Sequence, residues 1–191
     1  MQFQIYSARE TELVEGCRRH EHTAQQALYN QMSGKMFALC CRYVKDRMEA
    51  EDVLVTSFTK VFEHIGQFKG QGSFEGWVRR IVVNESLSYL RKNKSMYLET
   101  ALEAADREPD LSNLSSHLEA EDLLKLIAEL PAGYRIVFNM NTIDGYSHKE
   151  IAEHLGISEN TSKSQLSRAR SYLQARLVEI EKSGKHKQKE L

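Results

Sequence analysis

The sequence predicts an all-α protein made of two small helical domains that are joined by a flexible acidic linker. Only 2 prolines and 10 glycines occur among its 191 residues, which suits long helices better than a turn-rich β protein. Apolar residues recur at steps of three and four, as on the buried face of an amphipathic helix. We therefore expect domains at residues 7–94 and 118–183, a linker at 95–117 and a disordered tail at 184–191.

The first domain is predicted to contain amphipathic helices and one glycine-rich interruption. The first apolar stripe consists of Leu28, Met32, Met36 and Leu39. The second consists of Val53, Leu54, Phe58, Val61, Phe62 and Ile65. Four glycines within residues 66–77 then predict a loop or an interrupted connection. Helical periodicity resumes at Trp77, Ile81, Asn84, Leu87 and Leu90, and the helix is expected to end in the basic run at 91–94.

The charge of the chain is unevenly distributed. Net charge is −1 at pH 7, whereas a protein that binds nucleic acid is usually expected to be basic. Residues 99–122 contain eight acidic side chains and one basic side chain, Arg107. The rest of the chain is therefore basic, and the overall charge does not exclude binding to DNA.

The second domain is predicted to be a four-helix domain with a helix-turn-helix. It begins with an amphipathic segment formed by Leu123, Leu124, Ile127 and Leu130. Pro131 ends that helix or begins the next one. Ser147 and Glu150 have the spacing of a capping box at the start of a helix. Gly156 stands where a left-handed residue would end that helix, and Ser158 can cap the helix that follows.

The two faces of this helix-turn-helix differ in composition. The inward positions are predicted to be Ile151, Ala152, Leu155, Thr161, Ser162, Leu166 and Ala169. The outward face of the second helix contains Lys163, Ser164, Gln165, Ser167, Arg168 and Arg170. Ser and Gln can hydrogen-bond base edges, while Lys and Arg neutralise phosphates or bind guanine. Antiparallel helices with a solvated basic face are the alternative, but the caps, glycine turn and basic helix in one register favour binding in the major groove.

Other classes of function receive little support. Cys17, His20 and His22 form a loose cluster, but no second pair of ligands with zinc spacing follows. The carboxylates of Glu51 and Asp52 are neighbours on a helix and point about 100° apart, which favours a partner contact over acid–base catalysis. Apolar runs are too short to span a bilayer, and no secretion signal or phosphate-binding loop occurs. We expect a cytoplasmic protein with reduced thiols, no metal, no cofactor and no enzymatic activity.

Motifs from both domains together resemble sigma factors of the extracytoplasmic-function type. The second domain contains L-P-x-x-Y-R-x-V-F at residues 130–138 and G-Y-S-x-x-E-I-A-x-x-L-G-I-S-x-x-T-x-K-S at 145–164. The first contains A-E-D-V at 50–53, F-T-K-V-F at 58–62, F-K-G-x-G-S-F-x-G-W at 68–77 and R-R-I-x-x-N at 79–84. The helix-turn-helix alone is common among regulators. Its combination with the Phe/Gly/Trp segment, in this order and across an acidic linker, is much more specific.

The resemblance implies a mechanism that involves core RNA polymerase and promoter DNA, both double- and single-stranded. The helix at about 50–65 would bind a coiled coil of the polymerase through Glu51, Asp52, Val53, Phe58, Val61 and Phe62. The loop at 68–77 would help to open DNA, and the helix at 77–94 would recognise the −10 element. An anti-sigma factor that restrains the chain is a further expected partner.

The resemblance also implies the DNA-contacting side chains. For the −10 element and melting they are Phe68, Lys69, Ser73, Phe74, Trp77, Arg79, Arg80, Asn84, Ser88, Arg91 and Lys92. Phe68 and Asn84 are the candidates for holding an extruded base, because unpaired bases stack on aromatic rings and expose their edges. For the −35 element the candidates are Ser158, Asn160, Thr161, Lys163, Ser164, Gln165, Ser167 and Arg168.

The sequence departs from the family pattern at several positions. Val55 and Thr56 stand where Gln and an acidic residue are frequent in the family, so the polymerase contact departs from the family pattern at these two positions. Ser88 replaces a frequent Asp, and Gln165 replaces a frequent Arg. The last two changes suggest an altered or relaxed base preference.

Simpler interpretations remain open for parts of the chain. Phe74 and Trp77 could be core aromatics, and Asn84 could bridge helices. An ordinary helix-turn-helix repressor or activator would explain residues 147–170, but it would leave the 68–77 loop without a role. Such a protein also normally dimerises, and no heptad dimerisation segment is present. A protein-interaction adaptor would predict weak DNA binding by both domains, which the basic faces argue against.

Overall fold

The computed structural model describes residues 8–92 and 120–187. Contacts divide the chain into two compact units, with the boundary between Asn93 and Lys94. Within the described residues the secondary structure is helical and no β-strand occurs, which confirms the predicted all-α class. The predicted linker at 95–117 lies outside the described residues.

The first unit consists of four α-helices and one 3₁₀ turn. They are α1 (Ala8–Arg18), α2 (His22–Tyr43), α3 (Arg47–His64), the turn Ile65–Gln67 and α4 (Phe74–Lys92). Helices α2, α3 and α4 pack on one another, and α1 packs on α2. The predicted stripe of α2 is buried in full, as are five of the six residues predicted for α3, while Phe62 is half-buried. Asp46 begins α3 by accepting a hydrogen bond from the Glu49 amide at 3.0 Å.

Helix α4 has a different inward face from the predicted one. It begins at Phe74, where Ser73 Oγ accepts a hydrogen bond from the Gly76 amide at 3.2 Å. Its buried residues are Phe74, Val78, Val82, Val83, Ser86, Leu87 and Leu90. The predicted positions Trp77 and Ile81 are half-buried, and Asn84 is exposed. The prediction was wrong by about one residue in this part of α4, because packing against both α2 and α3 selects the valine stripe beside the larger side chains.

The second unit contains α5 (Ala120–Glu129), α6 (Ala132–Phe138), a π-helical turn (Asn139–Ile143), α7 (His148–Leu155) and α8 (Glu159–Lys187). Pro131 lies between α5 and α6 as the N-cap of α6. One core cluster joins α5, α6 and α8, formed by Leu126, Ile127, Leu130, Tyr134, Ala169, Leu173 and Leu177. Leu123 and Leu124 are exposed rather than inward as predicted, because the buried contacts of α5 come from its last two turns.

Helix α8 extends into the segment that the sequence predicts to be a disordered tail. It runs to Lys187, so the first four residues of the 184–191 segment are helical, and 188–191 lie outside the described residues. Gly184 is tolerated inside the helix, since propagating a formed helix by one residue is inexpensive compared with nucleating it.

Candidate nucleic-acid interface

Three aromatic rings lie together where the loop of the first unit meets α4. The Phe68 ring lies 5.1 Å from Phe74 in an edge-to-face arrangement and 5.7 Å from Trp77. The Phe74 and Trp77 rings are stacked at 5.7 Å. Phe68 is 6% exposed and Phe74 is 1% exposed, whereas Trp77 is half-buried. In this conformation Phe68 belongs to the core and is not exposed to hold an extruded base, because aromatic burial and ring–ring contact stabilise it inside.

The loop that follows Phe68 presents its tip to solvent. Lys69, Gln71 and Ser73 are exposed, and Gly70 and Gly72 adopt φ angles of 70° and 79°. Such left-handed positions are strained for other residues, so the two glycines allow the chain to turn tightly here. The loop therefore places one cation and several polar groups at the start of α4.

A residue of α1 contacts the backbone of this loop. Arg18 Nη2 donates a hydrogen bond to the carbonyl oxygen of Phe68, and the Phe68 amide donates to the Ile65 carbonyl at 3.2 Å. Sequence patterns gave no sign of Arg18 as a functional residue, because its partner lies 50 positions away.

The polar side of α4 continues the surface of the loop. Arg80, Asn84, Arg91 and Lys92 are exposed, and Arg79 and Ser88 are half-buried. Arg80, Asn84, Ser88 and Arg91 follow one another at steps of three and four, which places them along one side of the helix. Arg91 Nη2 donates to Ser88 Oγ at 3.0 Å, so these two side chains are held together. Four of the predicted −10 residues, Arg80, Asn84, Ser88 and Arg91, thus form one polar strip along α4, which begins just after the loop that exposes Lys69.

The helix-turn-helix of the second unit has the predicted caps and turn. Ser147 Oγ accepts from the Glu150 amide, and the Ser147 amide donates to Glu150 Oε2 at 2.8 Å, so the capping box is present. Gly156 has φ 67°, and its amide donates to the Ala152 carbonyl at 2.9 Å. Ser158 Oγ accepts from the Thr161 amide at 3.0 Å and caps α8. The predicted helix boundaries follow from these local hydrogen bonds.

Packing between α7 and α8 buries a small set of side chains. Ile151, Ser162, Leu166 and Ala169 are buried as predicted, and Ala152 and Leu155 are half-buried. Thr161 is exposed, contrary to the inward prediction, because it belongs to the first turn of α8, where its hydroxyl lies 2.8 Å from Ser158 Oγ. His148 Nδ1 lies 2.9 Å from Ser162 Oγ and joins the two helices, a contact between residues 14 apart that local pattern did not predict.

The candidate −35 residues fall into two groups. The hydroxyls of Ser158, Thr161 and Ser164 are used within the first turns of α8, and Ser164 Oγ donates to the Thr161 carbonyl at 3.0 Å. Asn160, Lys163, Ser167 and Arg168 are exposed, and Gln165 is half-buried. The first group organises the start of α8, and the second supplies amides and cations on its outer surface.

Buried polar groups elsewhere in this unit support the fold. Arg135 of α6 is 1% exposed, and its Nη1 lies 3.4 Å from the Ala128 carbonyl and 3.5 Å from that of Leu130. Burial lowers the pKa of this guanidinium from its ordinary value. Arg135 therefore satisfies carbonyls at the end of α5 and is not presented to DNA.

The residues predicted to bind the polymerase lie on two sides of α3. Glu51 and Asp52 are exposed, but Val53, Phe58 and Val61 lie in the core of the unit, where the Phe58 ring contacts Tyr29 at 4.8 Å. Helical periodicity turns that apolar stripe toward α2 and α4. The outer side of α3 instead exposes Met48 at 77% and Val55 at 59%. Exposed side chains of this size are available to a partner, whereas the three core residues are not.

No group of three or more His, Cys, Asp or Glu residues that could hold a metal occurs within 8–92 and 120–187. Cys17 and Cys40 are buried and Cys41 is exposed. Burial raises the pKa of the Cys40 thiol to about 12, so it is protonated at neutral pH. Among the described helices none has the length and apolar character needed to cross a bilayer.

Two family models match the two units. Sigma-70 region 2 matches residues 28–96, which include most of α2, all of α3, the loop and α4. Sigma-70 region 4 matches residues 120–173, which include α5 to α7 and the first half of α8. The match to region 2 begins after α1.

The chain is also similar to characterised proteins over most of its length. It is 27% identical to the RNA polymerase sigma-H factor of Pseudomonas aeruginosa, over 83% of this chain and 89% of that protein. It is 28% identical to the ECF RNA polymerase sigma-E factor of Haemophilus influenzae, over 86% of this chain and 93% of that protein. A similar fold is found in a solved structure of the sigma factor RpoE from Bartonella quintana in complex with the anti-sigma factor NepR. The TM-score is 0.50 and the identity 22%, and the match covers 81% of this chain and 96% of that one.

Proposed function

The chain belongs to the sigma-70 family, in its extracytoplasmic-function type, and we propose that it binds core RNA polymerase and directs promoter recognition, DNA melting and transcription initiation. One observation carries this conclusion. A region 2 unit and a region 4 unit follow each other in one chain, and each has an exposed helix face with amides and cations suited to DNA.

The second unit is proposed to bind the −35 element through the outer face of α8. Lys163 and Arg168 carry exposed charges for phosphates or guanine, and Asn160, Gln165 and Ser167 supply polar groups for base edges. Ser158, Thr161 and Ser164 act by holding the first turns of the helix, since their hydroxyls already have partners there. A capped helix presented in this way can enter the major groove as the second helix of a helix-turn-helix.

The first unit is proposed to bind and open the −10 element. The tip of the loop, with Lys69 and Ser73, lies at the start of α4, and Arg80, Asn84, Arg91 and Lys92 continue along that helix. Half-exposed Trp77 can stack on an unpaired base, while Phe68 and Phe74 support it from below through ring contacts. If Phe68 itself holds a base, it must first leave this aromatic cluster.

The polymerase is proposed to bind the outer side of α3. Glu51 and Asp52 supply charge there, and Met48 and Val55 supply apolar surface. Val53, Phe58, Val61 and Phe62 support this surface from the core side of the helix. An exposed apolar pair among charged residues is typical of a protein interface.

The remaining functional expectations follow from this role. The solved structure with a similar fold is a complex with an anti-sigma factor, and we propose the same class of regulator for this chain. Sigma factors are regulators of transcription, so we propose no enzymatic activity of its own. The action of the protein is assigned to the bacterial cytoplasm because that compartment holds the polymerase and the DNA.

Run-off transcription tests the proposal. Core RNA polymerase is combined with this protein on a fragment library from its own genome, with a known sigma factor as the positive control. New start sites are expected only when the protein is added. Asn84→Ala is expected to reduce them severalfold, whereas the matched change Asn30→Ala, on the exposed side of α2, is expected to leave them unchanged. If the positive control initiates and this protein yields no start sites, the repressor or adaptor interpretation replaces the sigma-factor role.

A further inference from the structure

Helix α1 supports the loop of the first unit although the two are far apart in sequence. It packs on α2 and on the 3₁₀ turn Ile65–Gln67, directly before the loop. It also lies before residue 28, where the match to region 2 begins. Leu13 of α1 lines a small cleft together with Phe74, so the helix reaches the aromatic cluster as well as the turn. This element therefore contacts the start of the loop from one side.

Arg18, the last residue of α1, makes the most direct contact with the loop. Its Nη2 donates to the carbonyl oxygen of Phe68, and its Nη1 donates to Glu15 Oε1 at 2.5 Å. The Glu15 carboxylate, one turn earlier on the same helix, holds the guanidinium in position. The Arg18 side chain is 32% exposed, so this hydrogen bond is partly shielded from water.

The hydrogen bond from Arg18 fixes the backbone of Phe68, the residue at which the loop begins. The Phe68 amide already donates to the Ile65 carbonyl, and its ring packs on Phe74 and Trp77. Arg18 adds a partner for the carbonyl, where the chain leaves the turn toward Lys69 and the two left-handed glycines. Glycine-rich backbone has many accessible conformations, so fixing its first peptide group restricts where the tip can lie.

We propose that Arg18 is a positioning residue for promoter melting, which holds the Phe68 carbonyl so that the loop tip is presented to DNA in one place relative to α4. The proposal rests on the sigma-factor role proposed above. Arg18 acts through the loop and does not itself contact DNA. A loop that is ordered before DNA arrives loses less conformational entropy when it holds the opened strand.

The matched variants are Arg18→Met and Arg19→Met. Methionine keeps an unbranched apolar stem and removes the hydrogen-bond donors. Arg19 is the neighbouring, exposed arginine, and its Nε donates to Glu21 Oε1 at 2.7 Å instead of to the loop. Arg18→Lys keeps a charged donor and tests partial rescue.

The measurement compares two templates with core polymerase and full-length protein. One is a duplex promoter, and the other is the same promoter with a non-complementary −10 region that is already open. On the duplex, Arg18→Met is expected to reduce the number of open complexes by about tenfold, as for loss of one charge-assisted hydrogen bond. On the template that is already open, the same variant is expected to regain near wild-type activity. Arg18→Lys is expected to lie between, and Arg19→Met to match wild type on both.

In the transcription assay, three outcomes overturn the positioning role while leaving the sigma-factor role intact. Wild-type opening of the duplex by Arg18→Met shows that the bond does not matter, and increased opening shows that it restrains the loop instead. Equal losses on both templates show a general structural defect. If the wild-type protein initiates on neither template while a known sigma factor does, the sigma-factor role has failed.

Fluorescence of the single tryptophan tests the loop contact without transcription. Trp77 belongs to the cluster that contains Phe68, so freeing the Phe68 backbone is expected to change its emission. Arg18→Met is expected to shift the emission while far-ultraviolet circular dichroism stays unchanged, and Arg19→Met to alter neither. Unchanged emission in folded Arg18→Met overturns the positioning role. If Arg18→Met does not fold, Arg18→Ala, which has no side-chain donor, is compared with Arg18→Lys, and equal emission and equal duplex opening by the two overturn the positioning role.

Discussion

The basic side chains of α8 differ in whether acidic side chains of the protein compensate their charge. Arg176 donates to Glu129 at 3.1 Å and to Glu179 at 2.7 Å, so its charge is compensated within the unit. Within the part of the chain that the structure describes, the side chains of Lys163 and Arg168 form no ion pair or hydrogen bond. The charges of Lys163 and Arg168 are therefore available to phosphates or base edges.

Removing these uncompensated charges is expected to weaken promoter binding. Lys163→Ala or Arg168→Ala, assayed with core polymerase, should lower affinity for a −35 element and reduce the slope of log affinity against log salt by about one. The control Arg176→Ala should leave both quantities near wild type, because that charge is paired within the protein. A salt slope unchanged by both α8 variants would contradict the proposed interface.

The buried thiol of Cys40 makes stability depend on pH. Burial raises the pKa of this thiol from 9.0 to about 12. The hydrogen bond with Ser86 lowers the pKa, but by less than burial raises it. The folded state therefore keeps a proton that the unfolded state releases, and this contribution to stability is complete below pH 9.0 and is lost as pH rises toward about 12.

Cys40→Ala is expected to flatten this dependence. Free energies of unfolding, measured by urea titration between pH 8 and pH 11, should fall less steeply with pH in the variant than in the wild type. Cys41→Ala is the control, since Cys41 is exposed and its pKa is raised less strongly. Parallel curves for wild type and Cys40→Ala would show that the thiol is not protected in the folded state.

At the scale of secondary-structure elements, helix ends followed the sequence closely where they depend on local hydrogen bonds. The capping box at Ser147, the glycine turn at Gly156 and the cap at Ser158 all lie where the residue pattern predicts them. Helix faces were harder to predict, as α4 shows. Several apolar stripes with similar periodicity run along this helix, and packing against two other helices selects one of them.

Gly156 and Gly34 should respond in opposite ways to the same substitution. Gly156 has a left-handed backbone, and Gly34 lies on the exposed side of α2 with no positive φ angle. An added Cβ meets no atom within 4 Å at either position, so backbone conformation decides the effect. Gly156→Ala should destabilise its unit by about 1 kcal/mol, and Gly34→Ala should stabilise its own by about 0.5–1 kcal/mol. Thermal unfolding measures both, and a rise in midpoint for Gly156→Ala would contradict the left-handed turn.

At the scale of the whole molecule, one chain contains two units, each with its own proposed DNA surface. Each has its own compact set of contacts and its own match to a sigma-70 region. Two modules on one chain raise each other's effective concentration at a promoter only if both elements can be reached at once. Promoter activity is therefore expected to depend on the distance between the −35 and −10 elements.

Inserting about 5 base pairs between the two elements, close to half a helical turn, is expected to reduce initiation by at least tenfold. The insertion turns the −35 element to the opposite side of the DNA, so one chain bound to polymerase cannot engage both. The same insertion upstream of the −35 element is the control and should leave run-off transcription unchanged. Equal activity with both insertions would mean that the second unit does not contribute to recognition.

The sequence by itself determined the all-α class, the caps and turn of the helix-turn-helix and the family motifs, because these depend on periodicity and on residues within a few positions of one another. Periodicity also predicted the buried stripes of α2 and α3, including Val53, Phe58 and Val61. Only the tertiary structure decided the buried face of α4, left Met48 and Val55 exposed, and placed Phe68 in an aromatic cluster. It also brought Arg18 to a carbonyl 50 residues away. Such contacts depend on how helices cross, and the free energy of burial that selects a crossing is summed over partners distant in the chain.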